Sequence, residues 1–363
     1  MQPLGDPHNF GKRVALTAED QISKPRNLFW EWLFLSSASP FRRLIDRAAS
    51  TKGVTSPFRL FPNLAFTTDF LIAGGTVSRL KLTPFCAHDI TPELCESVGS
   101  VIGLVTAMGI ADLHRQNVVF GIDESGRPIF APLDIESALE TYSLPSQTHL
   151  LPSTEVPSDL CGFAGFLKIA SGTDRDLSIT TAFAHGYLTT VELVLNNAAK
   201  ISETFSALDQ FKKAPVRLFL RATRQYYSWL EQTGRAIEPP LHESEWEQLK
   251  RGDIPYFVRF LDSKEILYFH EPATLQPANL ASALTDRGLA NSITFQKDVL
   301  PRLFEDPKKT NDLLKAGVLQ LLRFCDGKRQ TGRSQYGDVT CEFSAEEMFV
   351  TWRDKLKVKC ARK

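Results

Sequence analysis

Ala111-Asp112-Leu113-His114-Arg115-Gln116-Asn117, followed by Pro132-Leu133-Asp134-Ile135-Glu136, is the stretch on which the fold turns. The first segment carries Asp, His and Asn in the order D-x-H-x-x-N, and a second Asp lies seventeen residues beyond the Asn. Two apolar runs, Val118-Val119-Phe120 and Pro128-Ile129-Phe130, flank the polar stretch Asp123-Glu124-Ser125-Gly126-Arg127. Such runs around a polar, glycine-containing segment predict a hairpin. With Ser125-Gly126 at the turn centre, Asn117 falls opposite Asp134, each eight residues away. Two oxygen-bearing side chains at one end of a rigid ribbon can hold Mg²⁺ when phosphate and water complete its shell. Asp112, just upstream, occupies the place of a catalytic-loop carboxylate facing a substrate hydroxyl, the ordering of kinase-type phosphoryl transfer.

Upstream of this loop, Thr91-Pro92-Glu93-Leu94 is a helix-start signature, with Thr as N-cap and Pro in the first turn. The apolar stretch from Val98 to Ala111 is broken by Ser100 and glycines and is too short to span a bilayer. It reads as a buried helix delivering the loop. Nearer the start, Gln21-Ile22-Ser23-Lys24 reads as a strand ending in lysine, followed by a Trp- and Phe-rich helix carrying Glu31. Lys24 is either a solvated strand-end lysine or one half of a lysine–glutamate pair that holds ATP phosphates. Gly5-Asp6-Pro7-His8-Asn9-Phe10-Gly11 is a glycine-bounded turn, either a plain hairpin or a backbone cradle for phosphate. Ala65 to Ile72 reads as a further strand, and Leu80 to Phe85 as its continuation or as a crossover.

Downstream, the Pro- and Ser-rich segment Ser143 to Ser158 reads as a linker or surface loop. Leu193 to Phe211 and Val216 to Leu230 both show helical apolar spacing. The second would set Arg217 and Arg221 on one face, as a solvated basic stripe or as a phosphate clamp. Gly252-Asp253-Ile254-Pro255-Tyr256-Phe257 reads as a helix stop and a turn. Beyond Pro272 the pattern predicts mixed helices with no chemical constellation.

Composition narrows the function classes. Lys+Arg and Asp+Glu both number 42, so no net field favours nucleic acid or an anionic membrane surface. The first ten residues contain no apolar signal region, and six cysteines without C-x-x-C or zinc-ligand spacing fit a reducing cytoplasm.

Taken together, these segments resemble the dehydratase domain of class II lanthipeptide synthetases. The motifs are Gly5-Asp6-Pro7-His8 with Gly11, Lys24-Pro25-Arg26, Asp112-Leu113-His114 with Asn117, and Leu133-Asp134-Ile135-Glu136. They continue with Val216-Arg217 through Arg221-Ala222-Thr223 and Tyr226, then Gly252 to Phe257, all in the family's order. The resemblance implies an α+β, two-lobed protein/lipid-kinase-like fold with added C-terminal helices. Residues 1–90 would form the N-lobe, 91–272 the C-lobe, and 273–363 a helical region of unassigned role. It further implies ATP and Mg²⁺ as cofactors, and a Ser/Thr-containing precursor peptide that is phosphorylated and then loses phosphate to leave dehydroalanine or dehydrobutyrine.

Residue by residue, the resemblance places Lys24, Gly5, Gly11 and Glu31 around the nucleotide. It places Asp112 at the substrate hydroxyl, His114 in support, and Asn117 and Asp134 on the metal. Asp6, His8, Arg217 and Thr223 fall to elimination. His8, Asp112 and His114 are all candidates for its base.

Three departures qualify the likeness. Arg115-Gln116 stand where the family usually has an aromatic or basic residue and Glu; only four residues precede Gly5; and the family's cyclase pattern of zinc ligands is missing after residue 272. A separate cyclase or recognition protein is therefore expected. The alternative is a kinase-like phosphotransferase that stops at the phosphoester of a peptide or small hydroxyl substrate, and a nucleotide-binding pseudoenzyme stands third.

Overall fold

The computed structural model describes residues 2–3, 6–66, 74–86, 89–140, 144–154, 156–166, 177–221, 223–231, 241–261, 263, 265–272, 274–280, 310–325 and 331–362. The chain is α+β. Its compact units are discontinuous in sequence, where consecutive segments 1–90, 91–272 and 273–363 were expected. One unit comprises Met1–Trp32, Leu64–Arg79 and Ser206–Val299, the other Leu33–Asn63, Leu80–Phe205 and Leu300–Lys363.

The first unit holds two antiparallel sheets. One takes Gln2–Pro3, Ala15–Leu16, Gln21–Lys24 and Gly75–Ser78 in chain order, with Lys24 paired to Gly75. Of the strand expected over Ala65 to Ile72, the described residues show a bridge from Phe66 to Val77, and residues 67–72 lie outside them. The other sheet runs Thr274–Pro277, Leu267–Glu271, Phe257–Phe260, Pro215–Leu218.

This second sheet corrects the helix expected over Val216 to Leu230. Pro215–Leu218 is a strand with Arg217 opposite Val258, and the helix starts only at Thr223. Val216 and Leu218 are buried while Arg217 between them is half-exposed, and Leu218 packs with Phe257 and Tyr268. That alternation has period two, which a four-residue segment can satisfy in a sheet and not on a helix face. Arg217 and Arg221 therefore share no helix face.

The second unit is organised around the closely packed helices Pro92–Ala107 and Leu177–Asn196. Thr91 caps the first as expected, its hydroxyl accepting from Leu94 N at 3.2 Å. Helix residues 94–107 are all buried, so this element depends on packing rather than on an amphipathic face. The helix expected over Leu193 to Phe211 is divided, as Leu177–Asn196, Ala198–Ser206 and Asp209–Lys212.

Two further expectations are corrected here. Of Ser143 to Ser158, the described residues after Leu151 are the surface loop expected, but Pro145–Thr148 forms a 3₁₀ turn, and Thr148, Leu150 and Leu151 are fully buried. Gln320 fastens it, accepting from Ser146 N at 2.8 Å and donating to Ser146 Oγ at 2.7 Å. The C-terminal region is not wholly helical either. After helix Gly317–Cys325 come four antiparallel strands in a meander, Gly332–Tyr336, Val339–Phe343, Glu347–Trp352 and Leu356–Ala361. Val339, Cys341, Met348, Val350 and Trp352 point inward at alternate positions, which is the strand period.

Charged contacts fasten the meander to the helix pair. His185 Nδ1 lies 3.0 Å from Glu96 Oε1 and its Nε2 3.4 Å from Asp338 Oδ1, while Tyr336 donates to Glu96 Oε2 at 3.2 Å. Burial works to raise the Glu96 carboxyl, but the His185 hydrogen bond and charge, with bonds from Thr55 and Tyr336, hold it below the ordinary 4.5. A carboxyl lower in the folded than the unfolded state adds stability above the unfolded value and loses it as pH falls through the folded one. Melting temperature should therefore drop as pH falls below the ordinary carboxyl value of 4.5, and Glu96→Gln should flatten that acid slope in a pH series of thermal melts.

Candidate active site

The hairpin forms as the sequence predicts, with Val118–Ile122 antiparallel to Pro128–Pro132, but its register differs by one residue. Val118 pairs with Pro132, and Leu133 N continues the ladder to Asn117 O at 2.7 Å. Asn117 is thus opposite Leu133, and Asp134 is the next residue beyond. The turn chemistry explains the slip. Asp123 O accepts from Gly126 N at 2.9 Å, Arg127 O accepts from Asp123 N at 3.0 Å, and Gly126 has φ 81°. This is a three-residue loop closed by a left-handed glycine, not a two-residue turn on Ser125-Gly126. The Asp123 carboxylate clamps it, held at about 2 by the Ser125 hydroxyl and the Arg127 amide.

The loop before the hairpin is tied to its surroundings by backbone bonds. Ala111 N donates to Ser137 O at 3.1 Å, Leu113 N to Thr148 O at 2.9 Å, and Arg115 N to Leu160 O at 2.9 Å. These bonds leave Asp112 in the left-handed region, at φ 60°. Asp112, His114 and Asn117 come together there. Asn117 Nδ2 donates to Asp112 O at 2.9 Å and to Asp112 Oδ2 at 3.2 Å. His114 Nδ1 accepts from Gln116 N at 3.2 Å, which puts the neutral ring's proton on Nε2, 3.6 Å from Asp112 Oδ1. With its amide nitrogen engaged, Asn117 presents Oδ1 as its oxygen for a cation. A second imidazole, absent from the sequence reading, also faces this carboxylate: His149 Nδ1 lies 3.6 Å from Asp112 Oδ1.

The lysine–glutamate pairing takes shape in the other unit. Strand Gln21–Lys24 ends in Lys24, and helix Phe29–Leu35 carries Glu31. Lys24 Nζ lies 3.1 Å from Glu31 Oε1, and Arg26 pairs with the same oxygen. All three side chains are buried, and Glu31 Oε2 has no hydrogen-bond partner among the described residues. A buried ion pair is stable only where further bonds satisfy it, so this group is built for polar company.

In that same unit the turn after Asp6 docks on the segment following Gly252. Ile254 N donates to Pro7 O at 2.9 Å, and His8 Nδ1 donates to Ile254 O at 2.8 Å. Asp253, fully buried, accepts from Phe10 N at 2.8 Å and from Gly11 N at 2.7 Å. Gly11 therefore spends its amide on a carboxylate rather than offering it as a phosphate cradle. Tyr227 donates to Asp6 Oδ1. The Arg217 guanidinium lies over two rings, 4.6 Å from the Phe219 centroid and 4.8 Å from that of Tyr256, while His8 is 5.4 Å from the same Tyr256 ring. Asp6, His8 and Arg217 thus belong to one cluster. Thr223 opens the helix Thr223–Leu230 one turn before Tyr227, on the same face. Arg221 is not aimed at a phosphate: it forks onto Glu245, at 2.7 and 3.1 Å, together with the Tyr226 hydroxyl. Gly5 lies outside the described residues.

In one unit Asn117 Oδ1 and Asp134, which the register sets one position apart across the hairpin, are hard oxygen ligands of the kind Mg²⁺ takes; in the other, Lys24 and Arg26 are cations of the kind that hold phosphates. Among the described residues no group of three or more His, Cys, Asp or Glu could hold a metal ion, so a cation here would draw its remaining ligands from phosphate and water. Arg26, His149, Asp253 and Tyr256 have roles the sequence reading gave to none of them. Arg26, Asp253 and Tyr256 lay inside motifs already singled out, whereas nothing in spacing pointed to His149.

Among the described residues no helix is long and apolar enough to cross a membrane. The chain matches no protein-family model, and no curated protein is similar to it.

Proposed function

We propose that this protein is an ATP- and Mg²⁺-dependent dehydratase of Ser/Thr in a peptide, working by phosphorylation and then elimination on a two-lobed, kinase-like scaffold. The observation that carries it is the docking of His8 on Ile254 and of Arg217 on Tyr256, with Asp6 held by Tyr227, across chain separations such as the 246 residues between His8 and Ile254. A simple phosphotransferase has no use for such a cluster in addition to the Asp112 loop. Bound Mg²⁺ would neutralise charge on the phosphates, held by Asn117 and Asp134.

Each residue's part follows from its chemistry. Asp112 orients the hydroxyl and accepts its proton as that oxygen bonds to the γ-phosphorus of ATP and the bond to the departing ADP breaks. Lys24 and Arg26 hold the phosphates. Elimination removes the α-proton and breaks the carbon–oxygen bond, releasing phosphate. A neutral His8 that donates through Nδ1 carries its lone pair on Nε2, the form a base requires. Arg217, its planar guanidinium lying over two aromatic rings, takes the departing phosphate.

Incubation with ATP, Mg²⁺ and Ser/Thr-containing peptides should give, by mass spectrometry, a product lighter by one water. A stable phosphopeptide would favour the phosphotransferase alternative instead, and no product with any hydroxyl substrate would overturn both. Arg217→Lys keeps the charge but loses the fork and the ring stacking. Elimination should slow by about a hundred- to thousandfold, and phosphopeptide should accumulate.

A further inference from the structure

We infer that His149 is a positioning residue for the Asp112 carboxylate, a second imidazole that fixes the ion facing the substrate hydroxyl. The inference rests on the function proposed above for its kinetic test, and on the geometry alone for its structural one.

His149 follows the 3₁₀ turn Pro145–Thr148 and has φ 67°, in the left-handed region. Glycine or asparagine is the usual occupant at the end of a helical turn, because a larger side chain is strained there. The neighbours impose this conformation: His149 N donates to Ser146 O at 3.1 Å, and His149 O accepts from Gly162 N at 2.9 Å. The preceding carbonyl, Thr148 O, accepts from Leu113 N at 2.9 Å, so the turn is fixed to the catalytic loop itself.

The result is a division of the carboxylate. Asp112 Oδ2 takes the Asn117 amide, while Oδ1 faces His114 Nε2 and His149 Nδ1, both at 3.6 Å. Asp112 is itself a left-handed residue, at φ 60°. Two non-glycine residues held in a disfavoured conformation thus meet at one oxygen. Strain of this kind persists where the surroundings over-determine it, and it gathers at functional sites. A histidine kept only to fill space would gain nothing from a left-handed backbone. Here that backbone brings the ring to within 3.6 Å of Asp112 Oδ1, on the side of the carboxylate that Asn117 does not hold.

The test uses the full chain and two substitutions. Glycine adopts φ 67° without strain, so His149→Gly should melt at or above the wild-type temperature. Its kcat for phosphoryl transfer should fall about ten- to a hundredfold while the KM for ATP stays within about twofold, as expected when a reacting group is misplaced and binding is kept. His149→Asn also tolerates the left-handed region and can donate an amide proton towards Oδ1, so it should recover most of the lost rate. Wild-type kcat in His149→Gly, or no recovery in His149→Asn, would overturn the inference. A separate readout needs no activity: the His149 ring ¹⁵N shifts should differ between the wild type and Asp112→Asn in the absence of substrate. Identical shifts would sink the pairing. If the shifts differ but the wild type phosphorylates nothing, the proposed function fails and the pairing stands.

Discussion

Under the function proposed above, Asp112→Asn should lower the rate of peptide phosphorylation by about a hundred- to ten-thousandfold, the span that a positioned proton acceptor contributes. The substitution isolates the chemistry because its structural cost is small. Asp112 has φ 60°, and asparagine is among the few residues that enter this region readily. An amide oxygen can still accept from Asn117 Nδ2, which now bonds both the Asp112 backbone oxygen and Oδ2. What disappears is the negative charge facing His114 and His149 and the capacity to take the hydroxyl proton. The melting temperature should accordingly stay within a few degrees of wild type while initial rates collapse. A rate within about twofold of wild type would remove Asp112 from the mechanism. The same variant, given a peptide already phosphorylated, divides the two half-reactions. Continued elimination would place the α-proton base elsewhere, with His8 the group whose hydrogen bond to Ile254 O leaves the needed lone pair on Nε2. Loss of both half-reactions would return that role to Asp112.

The parts of this site that were legible in the sequence share one property: local chemistry determines them. The Thr91 cap, the strand-end lysine beside Glu31 and the hairpin each lie within a short window in which propensity and side-chain bonding agree. The register of the hairpin did not follow, because Glu124-Ser125-Gly126 serves a three-residue loop as readily as Ser125-Gly126 serves a two-residue one. The Asp123 clamp and the left-handed Gly126 decide between them. Pro215–Leu218 departs from expectation for a related reason. Val216 and Leu220 alone keep a four-residue spacing that runs on into the helix from Thr223, and the pairing with Phe257–Phe260 sets the two-residue period that Leu218 marks. The C-terminal meander was legible in the alternation Val339-x-Cys341-x-Phe343, yet it lies where no chemical motif draws the eye. His149 was beyond sequence reasoning altogether. It reaches Asp112 because two tertiary backbone bonds, from Leu113 to Thr148 and from Gly162 to His149, fold a Pro- and Ser-rich segment under the loop.

The largest effect on stability is expected at Gly186, within the helix that packs on the one delivering Asp112. A Cβ at this position would lie 1.9 Å from Glu96 O and 2.9 Å from Ser100 N, both backbone atoms of helix Pro92–Ala107. Side chains can rotate away from a clash, but helical backbone cannot, so the axes would have to separate. The backbones are as close at the neighbouring glycine, where a Cβ at Gly99 would meet Phe183 O at 2.2 Å, and separation would break the bond that Ser100 Oγ donates to Gly186 O at 3.3 Å. Gly186→Ala should therefore cost about 3 kcal/mol or more, the upper end of overpacking, against a total of roughly 5–15 kcal/mol for a folded protein. Gly165→Ala, where nothing lies within 4 Å of the added atom, is the matching control and should melt like wild type. The damage at Gly186 should also reach the chemistry. Leu139 N bonds Met108 O at 2.8 Å and Glu140 N bonds Gly109 O at 3.0 Å, so displacement of helix Pro92–Ala107 moves the segment that leads into Asp112. Thermal melts and phosphorylation rates of the two alanine variants, measured side by side below the melting transition, check both halves. A Gly186→Ala protein that melts and turns over like the control would mean that these helices can part without consequence, and that their close approach does not hold the catalytic loop in place.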